Sequence, residues 1–418
     1  MEAVMEEKKY GYKDVLTQKE YCKLIIANTI SRFGDSLDSM AFTWLVYQVT
    51  GSAAWSAIVF AMNQLPSVLI QPFAGVLVER MNKKRLMVIT DIIRGFLVAG
   101  IAALYLLGYV NPLILVLFTL FISTVEAFRM PAGMAIVPKI IEPELYAYGS
   151  SLNSTISSVV QLIGLGCAGV IIGFFGIHLA ILIDAVTFFC SGLIIMTMKV
   201  RGDKKVYEKV DLEGYISDLK GGLSYLKTKT VVRNFCIMGV IVNALVVPIN
   251  SLQSPLVSEV LGQGGQLLSV FGIAMTLGMG IGSLIYPKVA EKLSTRTIIV
   301  ISGIAIGLTM YLFTVGAFFK TCVIAVYCFT ALVSLVMGLF VSLFTSVLGV
   351  QFVKSVEEEY LARVGSIFNA LATASMPITS FIVSILVTMI STETILIAGG
   401  ILCVILFIVI AIKKVKFE

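Results

Sequence analysis

The sequence predicts an all-α membrane protein: twelve transmembrane helices in two pseudo-symmetric six-helix bundles, with both termini cytoplasmic. Three observations carry that expectation. Of the 418 residues, 58% are hydrophobic and 13% charged, with a mean hydropathy of +0.97, whereas a soluble domain carries about 25% charged residues. The apolar runs are each about 20 residues or longer rather than alternating ten-residue segments, and a backbone in lipid must satisfy its own hydrogen bonds, so the runs are helices and not barrel strands. Lys and Arg crowd one set of loops: Lys8 to Lys23, Arg80 to Arg85, Lys199 to Arg233, Lys288 to Arg296, Lys354, Arg363 and Lys413 to Lys416. The positive-inside rule assigns those loops to the cytoplasm. This bias accounts for the net charge of +6, so no nucleic-acid partner is implied.

In chain order, residues 1–21 hold charges but no apolar core and read as a cytoplasmic N-terminal segment, not a cleavable signal peptide. The first bundle, 22–199, contains runs at 22–49, 53–79, 85–108, 112–138, 148–175 and 177–199. The longest exceed the bilayer thickness and must tilt, kink or continue into water. The only long polar interval, 200–230, is a cytoplasmic linker in which Leu212, Ile216, Leu219, Leu223 and Leu226 recur at helical spacing, as in an amphipathic helix lying on the membrane face. The second bundle, 231–413, contains runs at 231–259, 266–289, 296–319, 321–352, 360–389 and 392–413, leaving 414–418 as a cytoplasmic tail. ELYAYGSSLN at 144–153 and YLARVGSIFN at 360–369 share a Gly-Ser step and an Asn at one offset, each opening the fifth span of its half. Repeats of this kind occur in transporters that bind substrate near mid-membrane between their halves. The seven cysteines show no metal-ligand spacing and read as small buried hydrophobes, so no metal site and no cofactor is expected.

Charges inside the spans are the strongest functional signal, because a charged side chain at mid-membrane costs about 2.5–3.5 kcal/mol. Asn28, Arg32, Asp35, Asp38 and Ser39 form a polar stripe on the first span, and Glu126 with Arg129 shares a face of the fourth. Pairing Asp35 or Asp38 with Arg129, and Arg32 with Glu126, leaves one acid without a basic partner, a candidate proton carrier. Asp35, slightly nearer mid-membrane, is preferred over Asp38. Helix-stapling ion pairs are the competing reading for each residue taken singly, but a poorer one for the set, since a buried pair rarely gains stability over apolar packing. Asn28, Phe42, Asn63, Gln64, Asn243, Asn250, Gln253 and Asn369 are substrate-cavity candidates, against plain interhelical hydrogen bonding. Asp184 reads as a structural cap near the outer end of the sixth span. Gly164, Gly166 and Gly169 in the fifth span, and Gly278 and Gly282 in the eighth, offer small faces on which helices approach and slide.

The loop Gly75-Val76-Leu77-Val78-Glu79-Arg80-Met81-Asn82-Lys83-Lys84-Arg85 resembles the signature loop of the major facilitator superfamily, G-x-L-x-D-R-x-G-R-K, with Glu79 in place of Asp and Asn82 in place of Gly. GDSLDSMAFTWLVYQVTGS, TDIIRG, FRMPAGMAIVPKIIEPEL, SLNSTISSVVQLIG and ILIDAVTFFCSGL are similar to the macrolide-efflux and enterobactin-exporter branch of drug:proton antiporters. The likeness spans nearly the whole chain. It implies that spans one and four line a central cavity and that spans five and eight meet between the halves. Gly75, Glu79, Arg80 and Lys84, with Asp91 and Arg94 on one face of the third span, are expected to form a cytoplasmic gate that locks one conformation and releases in another. Span five departs from the G-P-x-x-G-G of many proton-coupled exporters, reading Gly164-Leu165-Gly166-Cys167-Ala168-Gly169. No Walker A, G-x-S-x-G or H-E-x-x-H pattern occurs, so the chain is not expected to be an enzyme. The expected function is proton-coupled export, by alternating access, of an amphipathic or lipophilic-cation compound such as a macrolide-like drug. Its partners are the small substrate, protons and the lipid bilayer, for a monomer in the bacterial plasma membrane, as a multi-pass protein. A siderophore exporter or lysophospholipid carrier of the same fold, and a non-transporting sensor or scaffold, stay open as alternatives.

Overall fold

Long apolar runs with few breakers become long helices. The computed structural model describes residues 11–200, 224–225 and 228–413, and no strand occurs among them. The short α1 (Tyr12–Thr17) leads into α2 (Lys19–Thr50), then α3 (Ala53–Leu69), α4 (Gln71–Arg80), α5 (Lys83–Leu106), α6 (Pro112–Ile136), α7 (Tyr146–Phe175) and α8 (Ile177–Met196). The second half holds α9 (Thr230–Ser251), α10 (Gln266–Lys292), α11 (Thr295–Val315), α12 (Val323–Ser355), α13 (Glu358–Leu386) and α14 (Thr392–Ile412). The linker positions Leu212, Ile216, Leu219, Leu223 and Leu226, and the tail 414–418, lie outside the described residues.

Among the described residues, ten helices, α5 to α14, are long and apolar enough to cross a membrane. At 32 residues, α2 is about 48 Å long, ample for a bilayer, but its internal charges dilute its apolar character. The run expected at 53–79 is broken at Ile70 into α3 and α4. Pro72 has no N–H to give the carbonyl of Val68, so the ladder is interrupted there. Gly51 closes α2 in the left-handed region, φ 59°, and its N–H bonds the Tyr47 carbonyl at 2.8 Å. Only glycine adopts that turn without a Cβ penalty.

In lipid, apolar area drives helix pairing little, so small residues and close packing decide which helices meet. A Cβ at Gly278 would strike the Leu335 carbonyl, one at Gly282 the Leu339 carbonyl, and one at Gly338 the Met275 carbonyl. These glycines therefore lock α10 to α12 within the second half. That corrects the expectation for Gly278 and Gly282, which do not face α7. Gly169 and Gly166 do lie between the halves, their Cβ positions 2.8 Å from Ser269 Oγ and 3.6 Å from Ile273 Cδ1 on α10, whereas Gly164 packs on Ser36 of α2.

The two ends of the bundle differ. At the end bearing the basic loops, one apolar cluster (Tyr21, Met87, Ile136, Leu145, Ile195) belongs wholly to the first half and another (Val232, Phe352, Val364) wholly to the second. At the opposite end Ala53 and Ala57 pack with Leu252, Val383 and Ile395 in one cluster drawn from both halves. There the Ser254 hydroxyl donates to the Thr43 carbonyl (2.9 Å) and Ser380 to that of Ala57 (2.7 Å). Glu259 accepts from Tyr47 Oη (2.9 Å) and from Thr392 Oγ1 (2.8 Å), tying α2 to the start of α14.

Candidate functional site

The charged residues of the first half gather where α2, α5, α6 and α8 meet. Side chains three apart on a helix are offset by about 60°, so the α2 stripe fans out rather than acting as one unit. Arg32 turns to α7, where its Nη2 reaches Gln161 Oε1 at 3.4 Å. Asp35 turns to α5, its Oδ1 taking a hydrogen bond from Arg94 Nη2 at 2.9 Å. Asp38 turns to a different cavity altogether.

Two ion-pair ladders result. Arg94 also lies 3.8 Å from Glu126 Oε2, and its guanidinium stacks 4.0 Å above the Phe188 ring, a favourable cation–π contact. Arg129 Nε donates to Asp91 Oδ1 at 2.9 Å and Nη2 to Asn28 Oδ1 at 3.2 Å. Asp91 is fully buried and takes a second bond, 2.8 Å, from Ser191 on α8. Gly133, one turn beyond Arg129, leaves the space its guanidinium fills. The expected pairs Asp35 or Asp38 with Arg129, and Arg32 with Glu126, are thus replaced by Asp35–Arg94, Glu126–Arg94 and Asp91–Arg129. Asp91 and Arg94, expected in the gate from a position two turns into the third span, are buried inside the bundle. The side chains of Glu79 and Arg80 lie outside those described. Gly75 lies in α4 with open space around it, and Lys84 is half-buried at the start of α5.

Of the described acids on α2 and α6, the one left without an ion pair is Asp38. Its Oδ1 is buried and accepts no hydrogen bond among the described residues. It lines a cavity of about 220 Å³ with Phe42, Phe60 and Asn63 from the first half and Asn250 and Ser251 from the second. A larger cavity, about 600 Å³, runs from Asp35, Arg94 and Glu126 past Asn28 and Arg32 to Tyr21 and Tyr146 at the basic-loop end. The latter is of the size that holds a drug-like molecule. One turn of α2, from Asp35 to Asp38, separates the two.

Other expected residues are more scattered. Asn63 Nδ2 donates to Ser123 Oγ (3.2 Å) and Gln64 Nε2 to Asn63 Oδ1 (3.2 Å). Asn243, Gln253 and the exposed Asn369 line neither cavity. Asp184, read from the sequence as an outer cap, is instead buried against Gly34 of α2 beside the charged cluster. The signal that could have found it was an acid eight residues into an apolar 20-residue helix.

The comparisons with known proteins agree on the class. The description Major Facilitator Superfamily fits residues 24–326 and 249–416. The chain is 25% identical over 362 residues to the multidrug efflux pump Tap of Mycolicibacterium fortuitum, covering 85% of this chain and 86% of that protein. It is 24% identical over 357 residues to macrolide efflux protein A of Streptococcus pyogenes, 84% of each. The crystal structure of the nucleoside transporter NupG superposes with a TM-score of 0.76 at 14% identity, covering 95% of this chain and all of that one.

Proposed function

Because the chain belongs to the Major Facilitator Superfamily and is a multi-pass transport protein of the cell membrane, we propose that it exports amphipathic, lipophilic-cation compounds in exchange for protons. In this reading α2 and the bent α3–α4 pair are spans as well, giving twelve in two six-helix bundles, with both termini in the cytoplasm where the basic loops place them. Packing shared between the halves at one end, and separate at the basic end, then corresponds to a cavity open to the cytoplasm.

The observation that carries the reading is Asp38: a buried carboxylate oxygen without a partner, on a cavity wall with two aromatic rings. Such a group binds either a proton or a cation, and holding both at once is unfavourable, which is the competition an antiporter needs. The aromatic rings of Phe42 and Phe60 add affinity for a flat or cationic solute. The efflux relatives support the direction of transport and the breadth of substrate. Asp38 accordingly takes the coupling role that sequence reasoning gave to Asp35, since Asp35 is engaged by Arg94.

The test is drug accumulation in a sensitive bacterium expressing the protein. Ethidium and a macrolide should accumulate several-fold less than in the empty strain, and a protonophore or Asp38→Asn should erase the difference. Unchanged accumulation across both classes would remove the proposal.

A further inference from the structure

Asp184 brings one more acid to the cluster. It is 1% exposed, and its carboxylate lies against Gly34 of α2, one residue before Asp35 and one turn before Asp38. A Cβ at position 34 would collide with Asp184 Oδ1 and Thr187 Oγ1, so the glycine is what admits the acid to that contact. Thr187 Oγ1 donates to Asp184 Oδ1 at 3.3 Å while also bonding the Asp184 carbonyl at 2.7 Å. Among the described residues, no basic side chain lies within 4 Å of the carboxylate.

The groups facing Asp184 can be taken helix by helix. From α2 come Asp35 and Asp38 and from α5 Arg94, which also meets Glu126 of α6; Asp91 and Arg129 pair with each other beside them, and α7 carries no charged residue. The cluster therefore holds five carboxyls, Asp35, Asp38, Asp91, Glu126 and Asp184, against three arginines, Arg32, Arg94 and Arg129, and five less three leaves two. Asp91 and Asp35 are paired, and Glu126 shares Arg94 at the wall of the larger cavity. The two acids that lack both a basic partner and that cavity are Asp38 and Asp184. A largely buried carboxylate with no directly paired cation is costly to hold ionised, and the neutral acid is not.

We propose that Asp184 is the second proton-bearing carboxyl of the bundle, so that one transport cycle moves two protons, one on Asp38 and one on Asp184, per molecule exported. Each proton binds from the outer solution and leaves to the inner one, and only O–H bonds form and break. Contact with Gly34 sets the Asp184 carboxyl about one helical turn from Asp38, so the charge on Asp38, on the wall shared between the halves, bears directly on the Asp184 proton. The inference rests on the proton-coupled reading above and adds its stoichiometry.

Proteoliposomes with the membrane potential clamped at zero and a pH difference of one unit test it, with ethidium as the probe. Each coupled proton multiplies the limiting concentration ratio about tenfold, so two protons drive about 100-fold and one about tenfold. The expected result is about 100-fold for the wild type and about tenfold for Asp184→Asn, measured on variant protein that elutes as the wild type does. About tenfold in the wild type, or a wild-type ratio in Asp184→Asn, overturns the inference while leaving proton coupling intact. Ethidium ratios indifferent to the pH gradient remove the coupling reading itself, and this inference with it. Should Asp184→Asn fail to fold, the wild-type ratio decides alone: about 100-fold supports two carriers and about tenfold excludes the second.

Discussion

Removing Arg129 should unfold more of this protein than removing any exposed charge, and the reason is Asp91. That carboxylate is 0% exposed and is held by two donors, Arg129 Nε at 2.9 Å and Ser191 Oγ at 2.8 Å. Arg129→Met keeps the side-chain length but leaves a buried charge with one hydroxyl, a change that costs about 3–5 kcal/mol. In an Asp91→Asn background the charge is already gone, and the same substitution should cost about 1–2 kcal/mol, the scale of an ordinary hydrogen bond. A double-mutant cycle then gives a coupling of about 2–3 kcal/mol, well beyond the roughly 0.5 kcal/mol scatter of independent sites. Reversible unfolding by SDS in mixed micelles reads it directly. Losses that simply add would show that Arg129 and Asp91 act separately, and the two-ladder description of the bundle would fail.

Three further outcomes follow from other contacts. Asp35→Asn should lower stability by about 1–3 kcal/mol, because Arg94 loses a charge-assisted bond, whereas Asp38→Asn should melt at or above the wild type, since it removes an acceptor without a partner. SDS unfolding of the two variants checks both. Gly278→Ala should destabilise by about 1–3 kcal/mol as its methyl meets the Leu335 carbonyl, while Gly280→Ala, with nothing within 4 Å, should match the wild type. Glu259→Ala should release Tyr47 and Thr392, weakening closure at the end opposite the basic loops by about 1–3 kcal/mol. A cysteine placed at Thr43 should then react roughly tenfold faster with a membrane-impermeant maleimide, and an unchanged rate would discount the clasp.

The class of this protein was legible because lipid leaves few solutions: composition and run length name the helices before any side chain is placed. Pairing was not legible, and the reason is angular. Spacing along a helix gives the face a residue occupies, but not which neighbour stands opposite. The 60° offset per three residues sends Arg32, Asp35 and Asp38 to α7, α5 and a cavity in turn. The same gap explains the glycines. Gly278 marks a close contact correctly, yet only the fold reveals that the contact is with α12 and not α7. Asp184 escaped because distance from the end of its helix suggested a cap, whereas Gly34, 150 residues earlier, was the half of the signal that mattered.

That angular fan has a mechanical consequence. Asp35, Asp91, Glu126, Arg94 and Arg129 find their partners within the first half, so a rocking motion of one half against the other leaves those ladders intact. Asp38 is placed differently, on a wall completed by Asn250 and Ser251 of the second half. Its surroundings change whenever the halves separate, and a carboxyl whose solvation alternates between two conformations binds and releases a proton in step with them. The proposed coupling therefore needs no rearrangement of the ion pairs. It requires that Asp38 stand at the boundary between the moving bodies, and a variant that retains Asp38 but seals that boundary, such as Asn250→Trp, should hold its fold and lose pH-driven export together with ethidium exchange.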